Sequence, residues 1–171
     1  QSSAASDVYK RQSMVYAMAT IGIISFIVYG HHMFTTGADP LFRFIVMLTT
    51  MLVAVPTGIK IFNWLATMTG GSIVLKTPMV WALGTVITFT IGGITGIILA
   101  SIPIDIALHD AYFVVAHFHY VLVGGTIFAF IGGIYYWFPK MTGKMMNEKL
   151  GLLHFATSFI FFNAAFYPMH N

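Results

Sequence analysis

From Ser13 onward the chain reads as long apolar runs separated by short polar stretches, and about 20 apolar residues suffice for a helix to cross the hydrocarbon core. Five runs meet or nearly meet that length: residues 13–30, 40–68, 77–99, 111–139 and 149–168. Glycine and proline mark the joints, at Gly37 with Pro40, Gly70 and Gly71 with Pro78, Pro103, and Pro139 with Gly143. The pattern predicts an all-α, multispanning transmembrane helix bundle. Residues 1–12, QSSAASDVYKRQ, lack the apolar run of a signal peptide and do not belong with the apolar remainder of the chain. They read as a non-native or artefactual leader, such as a translated library end, or else as a short solvated native loop; residues 13–171 form the membrane part.

Composition supports lipid as the surrounding medium. Of 171 residues, 58% are hydrophobic and 8% charged, against about 25% charged in soluble domains. Five acids and eight bases are too few to keep such a surface dissolved. The net charge of +3 does not indicate nucleic-acid binding, because the bases are scattered between apolar runs rather than clustered on one face. They also assign sides. Lys76 in the second loop, and Lys140, Lys144 and Lys149 around the fourth, mark an inner face, whereas the third loop, SIPIDIALHD, holds two acids and no base. Arg43, on the outer side, is placed to snorkel to the interface. Cysteine is absent, so any metal must be held by histidine, carboxylate or backbone oxygen.

Seven histidines in so apolar a chain are costly unless paired or used. His117 and His119 lie inside the fourth run, and positions two apart on a helix point about 200° away from each other. They cannot share one metal; they can serve two centres on opposite faces, or each can bond a neighbouring helix. His117 lies seven residues past Asp110, about 10 Å deep. His31 and His32 approach from the same side, and the pair reads either as two ligands of one metal or as interfacial packing. Lys60 lies twenty residues past Pro40, about 30 Å inward. With Thr57 one turn earlier it can begin a proton path, or it can snorkel to the inner interface. Asp105 reads as a solvated loop residue, or as a cation or haem-propionate partner; His154 and His170 read as loop-facing or interfacial. GGITG at 92–96 and GGTIFAFIGG at 124–133 lack the strand and lysine of a phosphate loop and suit close helix packing.

The segments FIVYGHHMFTTG (26–37), VPTGIKIFNWLAT (55–67) and LHDAYFVVAHFHYVL (108–122) resemble the haem-copper oxidase superfamily, specifically the cytochrome c oxidase subunit I family. The likeness runs from Met14 to Asn171 and implies a partial chain, about five helices, the seventh to eleventh, of a larger twelve-helix subunit. It implies that His31 and His32 are two of three ligands of the active-site copper. His117 matches the ligand of the high-spin, a3-type haem, and His119 an axial ligand of the low-spin, a-type haem. His109 and Asp110 match a magnesium site, Asp105 a residue near the haem propionates, and Lys60 with Thr57 a proton channel. The third copper ligand, its cross-linked tyrosine and the other low-spin haem ligand lie upstream in the family.

The resemblance implies reduction of oxygen to water with electrons from cytochrome c, coupled to proton pumping. Implied partners are the dicopper-bearing subunit II, subunit III, cytochrome c and membrane lipid, with no nucleic acid. A quinol oxidase of the same superfamily is the near alternative, against which Asp110 and Tyr120 count; a proton-coupled transporter is the alternative of another class. The stretch YYWFPKMTGKMMNEKLG resembles bacterial rather than animal mitochondrial members, which points to a bacterial cytoplasmic membrane.

Overall fold

The computed structural model describes residues 2–171, and every regular element among them is helical. Residue 1 of the expected leader lies outside the described residues. Five helical stretches are long and apolar enough to cross a membrane: Val8–Met33, Pro40–Met68, Thr77–Ala100, Tyr112–Thr142 and Glu148–His170. The chain forms two compact units, one of Gln1–Gly71 with Gly96–His109 and one of Ser72–Thr95 with Asp110–Asn171.

The first unit opens with α1, Ser2–Val28, which runs on as a 3₁₀ turn, Tyr29–Met33. α1 passes through residue 12 unbroken, because no glycine or proline occurs before Gly22. Lys10 Nζ donates to the Ala66 carbonyl and Asn63 Nδ2 to Ser13 Oγ, tying α1 to α3 (Ala54–Met68). α2, Pro40–Leu52, is capped by Asp39, whose carboxylate accepts from the Leu41 and Phe42 amides. The second apolar run is thus two helices, with the break at Val53. Pro56 causes it: the ring lacks the N–H that would bond the Leu52 carbonyl and crowds that oxygen. Arg43 turns back toward the outer loop, its Nη1 donating to the Phe34 carbonyl. Gly30 sits where a Cβ would lie 2.8 Å from Val46, so the 3₁₀ turn is pressed directly against α2. The third loop contains its own helix, α5, Ile102–Leu108, started by Pro103.

The second unit holds most of α4 (Thr77–Ala100) together with α6 (Tyr112–His119), a π-helical segment (Tyr120–Ile127), α7 (Phe128–Thr142) and α8 (Glu148–Phe166). A second 3₁₀ turn, Tyr167–His170, comes after α8. Trp81, Tyr120, Phe128 and Phe162 form its buried core, with Trp81 edge-on to Phe128 and Tyr120 edge-on to Phe162. α4 packs on the π segment at glycines: a Cβ on Gly124 would lie 2.5 Å from Thr88 Oγ1, and one on Gly125 2.6 Å from Phe89. The Glu148 carboxylate accepts from both the Thr77 amide and its hydroxyl. The starts of α4 and α8 therefore lie on one face, as the loop lysines predict. Large apolar side chains face outward elsewhere, such as Phe26, 83% exposed, and Phe161, 70% exposed, in keeping with lipid or further helices as their cover.

Candidate metal centres

In the first unit, the 3₁₀ turn brings His31 Nε2 to 3.1 Å from His32 Nε2, and His31 Nδ1 lies 3.4 Å from Thr50 Oγ1. Two imidazole nitrogens so close either share one proton or turn their lone pairs to one cation. An ion at the usual 2.0–2.1 Å from each would see them about 100° apart, an ordinary angle for two ligands of one metal. The donor set suits copper, to which imidazole binds well. Among the described residues no group of three or more histidine or carboxylate side chains is gathered for a metal; the pair itself could supply two ligands.

His117 and His119 point apart, as their spacing requires. His117 Nδ1 lies 2.9 Å from the Gly92 carbonyl on α4 and 3.2 Å from Thr95 Oγ1. His119 Nδ1 lies 2.8 Å from the Val115 carbonyl of its own helix, and its ring stacks on Phe166 at 4.0 Å. A carbonyl can only accept, so Nδ1 carries the proton in both rings and the lone pair falls on Nε2. That is the tautomer of a haem-ligating histidine whose other nitrogen is anchored by the protein. Both residues fit the role. Sequence reasoning did not find Thr95 or Phe166; GGITG reads as a packing motif, and Gly92 does pack, with a Cβ there lying 3.0 Å from Val121. Close packing is also what delivers its carbonyl to His117.

Asp105 corrects one expectation. It is 5% exposed rather than solvated, because the third loop folds as α5 and puts His109 one turn away, its Nδ1 3.1 Å from Asp105 Oδ2. His109 thus turns to Asp105, and Asp110 has a left-handed backbone, φ 59°. Lys60 lies with its Nζ 5.5 Å over the Trp64 ring one turn on, and Thr57 comes after the Val53 break with its amide bonded to the Val53 carbonyl. His154 is exposed, bonded to the Tyr135 hydroxyl and edge-on to Trp81. His170 is more enclosed than expected: its Nε2 is buried, and its ring meets Phe113 and Tyr120.

Comparison with known proteins finds relatives over nearly the whole chain. The family model described as "Cytochrome C and Quinol oxidase polypeptide I" matches residues 2–171. Cytochrome c oxidase subunit 1 of Synechocystis sp. is 52% identical over 163 residues, covering 95% of this chain and 30% of that protein. The subunit 1 proteins of Cereibacter sphaeroides and Bacillus sp. (strain PS3) are also 52% identical, over 92% of this chain and 28% and 26% of their own lengths. The chain spans between a quarter and a third of the relatives it matches. These organisms are bacteria, and with five helices fit to span, the chain is an integral protein of a bacterial membrane. A match over nearly its whole length shows that the chain belongs to the cytochrome c and quinol oxidase polypeptide I family.

Proposed function

We propose that this chain is part of the core of a terminal respiratory oxidase that reduces oxygen to water with electrons from cytochrome c and pumps protons. Haem and copper are the general cofactors of its family, and when bound they supply the electron transfer and the splitting of oxygen. The observation that carries the reading is the divergence of His117 and His119, each with Nδ1 held by a carbonyl and Nε2 left as the metal-binding atom. In this reading His117 ligates the high-spin, a3-type haem and His119 the low-spin, a-type haem. His31 and His32 supply two copper positions, and their 3.1 Å approach supports that. His109 and Asp110 serve magnesium, and Asp105, held by His109, faces the haem propionates.

Lys60 and Thr57 load protons in this reading, since electrons brought to a buried site need accompanying protons to avoid uncompensated charge. Association with other oxidase subunits comes with membership of the family; within that assembly, subunit II with its dicopper centre, subunit III and cytochrome c are the proposed partners. Cytochrome c is favoured over quinol as donor because the similar bacterial proteins are cytochrome c oxidase subunits. The transporter alternative has no support from them. Metal analysis of the complete oxidase tests the assignment: His31→Ala or His32→Ala removes about one copper per enzyme, leaving the dicopper centre of subunit II, while the low-spin haem spectrum persists. Full copper with normal turnover in either variant overturns it.

A further inference from the structure

The Gly92 carbonyl receives two donors. His117 Nδ1–H reaches it at 2.9 Å and the Thr95 hydroxyl also at 2.9 Å, while Thr95 Oγ1 itself lies 3.2 Å from the same Nδ1. Threonines commonly bond back to carbonyls of their own helix. Elsewhere on α4, however, Thr85, Thr88 and Thr90 make their shorter bonds to the carbonyl four residues back, those of Trp81, Gly84 and Val86. Thr95 instead turns to the carbonyl three residues back, the one that His117 uses. The hydroxyl, the carbonyl and the imidazole nitrogen form a closed triangle in one unit.

We propose that the Thr95 hydroxyl sets how strongly the Gly92 carbonyl pulls on the His117 Nδ1 proton, and through it how strongly His117 binds haem iron. This rests on the ligand role proposed above for His117. A carbonyl oxygen divides its acceptor capacity between its two lone pairs, so a second donor weakens the first bond. The weaker that bond, the less imidazolate character the ring acquires, and hydrogen bonds behind a ligand are a lever on haem electronics. At 3.2 Å, against 2.9 Å for the carbonyl, the hydroxyl is the lesser acceptor for the ring, and its donation to Gly92 decides the sign. Thr95 is thus a positioning residue that keeps His117 a moderate rather than strong donor and favours reduced iron.

The test is resonance Raman spectroscopy of the ferrous, ligand-free complete oxidase, read at the iron–histidine stretch, with a redox titration beside it. Thr95→Val keeps the shape and removes the hydroxyl. The stretch should rise, and the ferric–ferrous equilibrium should move about threefold toward ferric, roughly 28 mV at 59 mV per decade. Thr95→Ser, which keeps the hydroxyl, should return both to wild type. If Thr95→Val fails to assemble, Thr95→Ala is read in the same way. An unchanged or lower frequency without the hydroxyl overturns the proposal, as does a serine variant that shifts like valine. His117→Ala serves as the control: loss of the band upholds the ligand assignment independently of Thr95, and a surviving band refutes that assignment instead.

Discussion

His31 and His32 turn their Nε2 atoms toward each other, whereas His117 and His119, one residue farther apart in sequence, carry their rings to opposite neighbours. Adjacent positions on a helical turn are near enough in angle for long rings to converge; positions two apart are not. The surroundings differ as well. In the first pair His31 Nδ1 lies 3.4 Å from the Thr50 hydroxyl, and the two rings touch each other. In the second pair each ring is fixed by a bond of 2.9 Å or shorter to a backbone carbonyl. One pair is therefore oriented by backbone carbonyls, while the other is set by contact between its own rings and a side-chain hydroxyl; under the proposed function the carbonyl-held pair would be pre-organised for its metal and the other would take its final geometry on binding.

The largest effect expected from this contrast is a split in haem spectra. In the complete oxidase, His117→Ala should remove the signal of the oxygen-binding haem and His119→Ala that of the low-spin haem, with oxygen reduction lost in both. Optical spectra normalised to folded protein check it, and loss of one and the same signal in both variants breaks the contrast. Next in size is Lys60, which shares a unit with the first pair. Lys60→Met should slow turnover by about a hundredfold or more, the scale on which positioned proton transfer contributes. Lys60→Arg should not restore it, because guanidinium does not give up its proton near neutral pH. Stopped-flow reduction of the oxygen-binding haem decides, and a tolerated arginine would make Lys60 a snorkelling residue.

Smaller effects sharpen the idea that the second pair is held by packing. Gly124→Ala drives a methyl into Thr88, which is fully buried, and should cost about 1–3 kcal/mol. The measurement is thermal loss of the haem bands, with copper content unchanged at low temperature. Least of all, Tyr120→Phe removes the hydroxyl bond to Asn163 Oδ1, 2.7 Å, and should cost about 1 kcal/mol. Denaturation midpoints check that value, and a low-spin haem spectrum that also shifted would tie Tyr120 to His119 more directly than its bond to α8 requires.

The five spans were legible because a membrane helix advertises itself by length and hydropathy alone. The opposition of His117 and His119 was legible for a related reason: it depends only on helical periodicity. What stayed hidden depended on partners distant in sequence. Asp105 looks solvated in SIPIDIALHD until α5 forms and brings His109 over it. Thr95 looks like one more small residue in GGITG until α6 supplies His117. The break at Val53 had a local cause, Pro56, but hydropathy does not register a missing amide. His170 looked interfacial because its buried surroundings, Phe113 and Tyr120, come from α6 and the adjoining π segment.

The clasp between Glu148 and the start of α4 also has a consequence in time. Its two halves are 71 residues apart, and a ribosome adding roughly 5–20 residues per second needs about 4 to 14 s to bridge them. Throughout that interval the Thr77 amide and hydroxyl await their carboxylate. They can do so without harm at the water-facing end of a helix, where solvent serves as a temporary acceptor, and could not in the middle of the bilayer. A connection completed so late belongs where waiting is cheap, and the chain has put it there.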